Sequence, residues 1–264
     1  MYLDYWGLNT FPFENVPDPD FMYYSPEHEE ALVRLLYAVK RMKGAALLTG
    51  EIGSGKTTLS RVFIQQLPDS EFDIGLITNP SLNALDFIKE VHYQLGLESK
   101  SNSKSDLLII LNNRLLENIN KGRSTLLIID EAQLIFGETF EEIRLLLNFQ
   151  MNDRFLMTFL LIGQPELRDM IRGYKQLDQR IAIRYHLNPL SEEETANYVR
   201  FRLQKAGGRD DPFLEKAYQA IFDYSGGIPR KINNACDLSL LIGFSMKVKE
   251  IDADLVQKVV KDSL

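Results

Sequence analysis

The run Gly50-Glu51-Ile52-Gly53-Ser54-Gly55-Lys56-Thr57 decides how the rest of the chain is read. It matches G-x-x-x-x-G-K-[ST] in full. An apolar run at 45–49 leads into it and a helical pattern starts at 56. That context separates a phosphate-binding loop from a chance glycine-rich turn. The glycines let backbone N–H groups converge on phosphate oxygens, and the helix N-terminus adds its dipole. Lys56 is expected to reach the β- and γ-phosphates and Thr57 to place its hydroxyl on Mg²⁺. Residues 50–57, with Thr58, are the expected nucleotide cradle.

Outward from the loop, apolar runs bounded by turn residues alternate with helical patterns. Runs at 45–49, 73–78, 125–130 and 157–162 read as buried strands, with a short fifth at 184–187. Helical spacing appears near 26–42, 56–67, 83–95, 105–120, 139–149 and 165–172. Continuous apolar strands spaced by helices indicate a parallel sheet covered on both faces. The segment 98–106 is polar and reads as an exposed loop. After Leu190 the strands stop, and helical patterns follow near 191–206, 212–224, 229–243 and 252–261. Ser191 with Glu194 forms a capping box at the start of the first, and Gly207-Gly208 closes it. The expected organisation is an α/β nucleotide-binding domain over 1–188 and a small all-helical lid domain over 189–264.

The strand at 125–130 ends in a pair of acids, Leu126-Leu127-Ile128-Ile129-Asp130-Glu131. Four apolar residues and then two carboxylates put the acids at the C-terminal tip of a parallel strand, where ligands bind in open α/β sheets. Asp130 is expected to hold Mg²⁺ through water, and Glu131 to polarise the attacking water. Glu131 argues for hydrolysis over mere binding. A nucleoside kinase would need an acceptor site, and none is visible.

Composition narrows the class. The chain has 264 residues, 45% hydrophobic and 25% charged, an ordinary soluble composition. Its net charge of −7 lies in one place. Residues 1–30 hold Asp4, Glu14, Asp18, Asp20, Glu27, Glu29 and Glu30 with no Lys or Arg, and the rest balances. The same thirty residues hold eight of the 27 aromatics. A lone Cys236 excludes an intrachain disulfide and a cysteine zinc site, and fits a reducing compartment. Cys236 reads as a small buried residue on an apolar helix. His28, His92 and His186 lie in unrelated contexts, so a histidine metal site is not expected. No signal peptide is visible, and the longest apolar stretch, around 155–163, is about half a membrane span. A cytoplasmic location is expected, at the inner-membrane face if the natural chain is longer.

The ordered motifs resemble those of the AAA+ ATPases, and in particular the ExeA/GspA-type secretion ATPases with their MSHA-pilus-type relatives. The resemblance is carried by Trp6-Gly7-Leu8, Phe11-Pro12-Phe13, Pro17-Asp18-Pro19-Asp20-Phe21 and Tyr24-Ser25-Pro26-Glu27-His28, then LLTGEIGSGKTTL (47–59), IIDEAQ (128–133), LIGQPEL (161–167), LDQRIAIRYHLNPLS (177–191) and GGIPRKIN (226–233). Together they span nearly the whole chain. The resemblance implies ATP with Mg²⁺ as cofactors and an oligomer, a ring or filament. Gln164 would be the sensor that orients water or γ-phosphate, although AAA+ proteins more often carry Asn, Ser or Thr there. Arg180 would be the arginine finger acting on a neighbouring subunit, with Arg184 as the other candidate. Arg230 would be the lid-domain sensor. The aromatic N-terminal segment would cover the adenine, and His28 would lie near the base or serve packing. Each arginine also has a plain reading as a solvated helix-end cation, but a cation in a helix's first turn opposes the dipole, so Arg230 calls for an anion.

Three functions compete at this stage. One is an oligomeric ATPase that drives assembly of a secretion or pilus machine. Such ATPase domains are often followed by a membrane helix and a peptidoglycan-binding domain, so a chain ending just past the lid is expected to be a truncated piece or a short soluble member. The second is an ATP-dependent DNA-associated regulator of the MuB/TnsC/TniB type, which shares this architecture. Phosphate contacts with DNA need clustered Lys/Arg. Arg168, Arg172, Lys175 and Arg180, and Lys247, Lys249, Lys258 and Lys261, are only loosely clustered, so nucleic acid is allowed but not favoured. The third is a nucleotide switch without hydrolysis.

Overall fold

The computed structural model describes residues 2–98 and 101–261. The chain forms two compact units. One comprises residues 28–50 and 60–187; the other comprises the residues up to Glu27, then 51–59 and 188–264.

In chain order the elements are α1 (Leu3–Trp6), α2 (Pro26–Lys40), β1 (Ala45–Gly50), α3 (Lys56–Gln65), β2 (Phe72–Ile77), α4 (Ala84–Gln94), α5 (Lys104–Asn120), β3 (Ser124–Ile129), α6 (Gly137–Leu146), β4 (Met157–Gly163), α7 (Glu166–Arg172), α8 (Lys175–Asp178), β5 (Ile181–Leu187), α9 (Glu192–Lys205), α10 (Glu215–Ser225), α11 (Pro229–Met246) and α12 (Ala253–Lys261). Single 3₁₀ turns lie at Pro19–Phe21 and Ala132–Leu134.

The first unit is built on a five-stranded sheet in the order β2-β3-β4-β1-β5, with every neighbouring pair parallel. Alternate residues of a strand face opposite sides of the sheet. Ala45, Leu47, Leu127, Ile129, Phe159 and Leu161 share a core with Phe87 and Val91 of α4, Leu111 and Leu115 of α5, and Phe140 and Ile143 of α6. The intervening Ala46, Leu48, Leu126, Ile128, Leu160 and Ile162 are also fully buried, so both faces are covered. Further buried apolar residues lie on α2 (Leu35, Ala38 and Val39) and α3 (Val62 and Phe63). Burial on both faces is why these strands read as unbroken apolar runs.

β5 is the exception, and it begins three residues before the expected 184. It sits at the edge, and its exposure is mixed along its length, with Ala182 and Arg184 exposed and Ile181 and Leu187 buried. An edge strand needs no continuous apolar stretch, so its first half leaves little pattern. Of the expected loop at 98–106, residues 99 and 100 lie outside the described residues, and α5 already starts at Lys104.

The second unit is helical. The Ser191 hydroxyl accepts from the Glu194 N–H at 3.2 Å, and the Glu194 carboxylate accepts from the Ser191 N–H at 2.8 Å, completing the capping box that opens α9. Its core joins Val199, Leu203, Ile221, Leu240, Ile251 and Val256 to Tyr2, Leu8 and Phe13. The N-terminal segment, expected in the 1–188 domain, therefore groups with the helices. The cause is visible in the packing. The Trp6 indole N–H donates to the Leu240 carbonyl at 2.9 Å, and the Asn9 N–H donates to the Ala206 carbonyl at 2.8 Å. Buried Arg202 donates to the carbonyls of Pro12 and Glu14 and stacks over Phe21. Cys236 lies fully buried in this core, and burial holds its thiol well above the ordinary range. Among the described residues no helix is long and apolar enough to cross a membrane.

Candidate functional site

β1 delivers the chain into the phosphate loop at Gly50, and Lys56 opens α3. Gly53 and Gly55 take φ of +82° and +96°, where a side chain is strained. These turns let consecutive peptides face inward. Lys56 is 7% exposed, and its ammonium donates to the Glu51 carbonyl at 2.8 Å. Ser54 is 2% exposed, and its hydroxyl has no partner. A buried polar atom without a partner is unusual. In a loop lined by backbone donors and a lysine, an anionic ligand is the group that would satisfy it. Ile52 and Glu51 are exposed, and Thr57 and Thr58 are half-buried.

In the same unit the start of α11 rests on this loop. The Arg230 backbone N–H donates to the Gly53 carbonyl at 3.2 Å. First-turn N–H groups have no partner within their own helix, and the loop supplies one. The approach is close enough that a Cβ on Gly53 would lie 2.5 Å from the Arg230 Cβ. Gly226 and Gly227 make the sharp turn before it at φ +57° and +75°, and the Gly227 carbonyl accepts from the Leu190 N–H at 2.9 Å. The Arg230 side chain is exposed.

In the other unit the acids sit just past β3. Asp130 is 6% exposed; its N–H bonds the Ile77 carbonyl at 2.9 Å and its carboxylate accepts from the Glu131 N–H at 2.9 Å. Glu131 has φ +53° and ψ 38°, a left-handed conformation that a non-glycine residue adopts at a cost of roughly 1–3 kcal/mol. Its carboxylate accepts from the Gln133 amide at 2.6 Å. The Gln133 side-chain oxygen Oε1 in turn accepts from the Gln164 N–H at 3.1 Å. β3 and β4 are adjacent strands, so their ends bring Asp130, Glu131 and Gln164 together, with Gln133 between them.

Gln133 closes the IIDEAQ run at 128–133, but nothing in the sequence alone assigns it a role. The signal available was its place two residues past Glu131, beside a strand ending in Gly163-Gln164. A Cβ on Gly163 would lie 2.6 Å from the Gln133 side-chain oxygen Oε1, so glycine keeps the notch open.

The two finger candidates differ in their surroundings. Arg180 donates to the Arg144 carbonyl at 2.8 Å and the Asn148 side-chain oxygen at 2.7 Å, near the C-terminal end of α6. Arg184 pairs with the Asp178 carboxylate at 2.7 Å and also bonds the Ile181 and Asp178 carbonyls. His28 is buried on α2.

A parallel sheet with a phosphate loop after β1, acids after β3 and a following helical region defines the P-loop nucleotide-binding fold of the AAA+ type. The chain belongs to the AAA domain family, whose model matches residues 39–171. It is 42% identical over 249 residues to General secretion pathway protein A of Aeromonas hydrophila, covering 93% of this chain and 45% of that protein. It is 26% identical over 192 residues to the Mu-like prophage FluMu DNA transposition protein B of Haemophilus influenzae, covering 69% of this chain and 61% of that protein. The chain thus spans about half of the relatives it matches. Among solved structures, Cdc6p from Pyrobaculum aerophilum shares the fold at a TM-score of 0.70 and 18% identity, over 94% of this chain and 71% of that one.

Proposed function

We propose that this chain binds ATP with Mg²⁺ and hydrolyses it, and that the energy is used to assemble a bacterial secretion or pilus system. The observation that carries the nucleotide reading is the phosphate loop, with its left-handed glycines, buried Lys56 and partnerless Ser54 hydroxyl. The secretion role rests on the likeness to General secretion pathway protein A.

In this reading the N–H groups of residues 51–58 and the Lys56 ammonium bind the phosphates. Among the described residues no group of three His, Cys, Asp or Glu could hold a metal. Magnesium takes one or two protein ligands and completes its shell with phosphate and water. Thr57 would offer its hydroxyl to the ion, and Asp130 would hold it through water. Bound magnesium neutralises charge developing on the phosphate oxygens. Glu131 accepts the proton of the attacking water, and Gln164 orients water or the γ-phosphate. Arg230 reads the phosphates from the helical unit, and the N-terminal segment lies near the adenine. Arg180 acts on a neighbouring subunit's nucleotide in a homo-oligomer. It is favoured over Arg184 because its partners are neutral oxygens, whereas Arg184 is held by a carboxylate.

Titration with ATP and Mg²⁺, together with a phosphate-release assay, tests the reading. Wild-type protein is expected to bind saturably and release phosphate. Lys56→Ala should weaken binding on the order of 100-fold, or about 2.7 kcal/mol. Absence of saturable binding by the wild type contradicts the reading. A second reading, an ATP-dependent DNA-associated regulator, is favoured by the likeness to the FluMu DNA transposition protein B. Salt-dependent binding to duplex DNA in the presence of ATP would support it, and no binding at low salt would exclude it.

A further inference from the structure

The geometry points to Gln133 as a positioning residue that aims the Glu131 carboxylate and ties its aim to the tip of β4. The inference rests on the ATPase reading and goes beyond it, because none of the roles assigned to the motifs requires a glutamine at this place.

Three observations meet at this side chain. First, Glu131 stands in the left-handed region, at φ +53°, immediately beyond the strand. It has left the ladder that orders β3, so the direction of its carboxylate depends on what its side chain meets. Second, that carboxylate accepts a 2.6 Å hydrogen bond from the Gln133 amide nitrogen. Third, the amide is itself fixed. Its oxygen accepts from the Gln164 N–H at 3.1 Å. A backbone N–H can only donate, so the oxygen must face Gln164 and the nitrogen must face Glu131. The amide has one orientation, and both of its ends are engaged.

The notch that receives it has a matching shape. Gly163 is the last residue of β4, and a Cβ there would lie 2.6 Å from the Gln133 oxygen and 2.7 Å from Leu167 Cδ2. The Ala132–Leu134 turn carries Gln133 against this strand end. One amide therefore bridges the ends of two adjacent strands, one bearing the proposed base and the other the proposed sensor. A displacement of the Gln164 peptide moves the acceptor end of the amide, and the donor end moves with the carboxylate. Gln133 touches neither phosphate nor water in this scheme; it acts through Glu131.

Steady-state ATP turnover in the full chain tests the proposal, using Gln133→Leu, Gln133→Glu and Glu131→Gln. Gln133→Leu keeps the side chain's approximate size but removes both hydrogen bonds. It is expected to lower kcat about 10–100-fold, with KM for ATP within about threefold of wild type, since the loss is confined to the reacting geometry. In Gln133→Glu the oxygen facing Gln164 is kept, while a second carboxylate faces Glu131. The two carboxylates repel, so Glu131 loses its aim, and kcat should fall at least as far as in Gln133→Leu with KM again little changed. Adding Gln133→Leu to Glu131→Gln should cost nothing further, because residues acting through one another are not additive. A purely structural glutamine would lower kcat equally in both backgrounds. That pattern overturns the proposal, as does a Gln133→Leu enzyme that turns over at or above the wild-type rate while Glu131→Gln is inactive. A wild-type protein without turnover, or one equalled by Glu131→Gln, overturns the ATPase reading and this inference with it. Melting temperatures and ATP affinities of the variants identify any that fail to fold. For those, Gly163→Ala takes the place of Gln133→Leu, since its methyl displaces the amide from outside, with the same loss of kcat expected and the same outcomes decisive.

Discussion

At the phosphate loop the backbone carries the geometry; at the acidic strand tip side chains carry it. The loop is shaped by glycine torsions at Gly53 and Gly55, and it is met by a main-chain bond from Arg230 to Gly53. At the tip, Glu131 pairs with an amide that is anchored in turn on Gln164. The difference follows from the tasks. Phosphate recognition needs several fixed N–H donors, which peptide groups supply without side-chain entropy. A general base needs one movable carboxylate aimed at a water, and a side-chain contact can aim it and release it. The loop should therefore fail through backbone substitutions that shift binding. The tip should fail through side-chain substitutions that shift turnover.

The largest departure is expected from Gly53→Ala. Left-handed alanine costs about 1–2 kcal/mol, and its Cβ would lie 2.5 Å from the Arg230 Cβ, so α11 or the loop must move. Affinity for ATP should fall on the order of 100-fold by calorimetric titration. Retained affinity would show that the contact between loop and helix is incidental.

Similar in size is Arg202→Met. Arg202 is 6% exposed and donates to the carbonyls of Pro12 and Glu14 and to the Tyr198 hydroxyl. Leaving those oxygens buried without a donor should destabilise the helical unit by about 2–4 kcal/mol, seen in denaturant unfolding. Intact stability would mean the N-terminal segment is only loosely held.

The smallest effect concerns His92 in the sheet unit. Its Nε2 faces the Leu107 carbonyl at 2.9 Å, so Nε2 carries the proton, and Nδ1 is buried without a partner. Burial lowers its pKa below the ordinary 6.5, with the Leu107 bond opposing more weakly. The native ring is thus neutral where the unfolded ring begins to take up a proton. Its stabilising contribution is complete above pH 6.5 and is lost as pH falls below that value. Thermal melts between pH 7.5 and 5 should slope less steeply for His92→Gln than for wild type. Equal slopes would place the acid sensitivity elsewhere.

The two units also differ in how openly the sequence announces them. Strands β1, β3 and β4 are buried on both faces, so Ala45–Thr49, Thr125–Ile129 and Met157–Ile162 stand out as apolar runs. The loop and acids are legible for the same reason, since each follows such a run. β5 is half hidden because an edge strand mixes exposed and buried residues. The partnership of the N-terminal segment with the helices is long-range, joining Tyr2 and Phe13 to residues about 200 positions away. No local periodicity encodes it. Gln133 was hidden for a different reason. Its role depends on Gly163 and Gln164 on a neighbouring strand, and a single glutamine carries no pattern of its own.

Hydrolysis with Glu131 as the base is tested most directly by Glu131→Gln. Wild-type and variant protein are loaded with ATP and Mg²⁺, and bound nucleotide and released phosphate are followed over time. The variant should bind ATP within a few-fold of wild-type affinity and release phosphate slower by on the order of 10²–10⁴, the usual contribution of a general base. Phosphate release at the wild-type rate with Glu131→Gln, or a wild type that holds ATP without releasing phosphate under oligomerising conditions, would contradict the account.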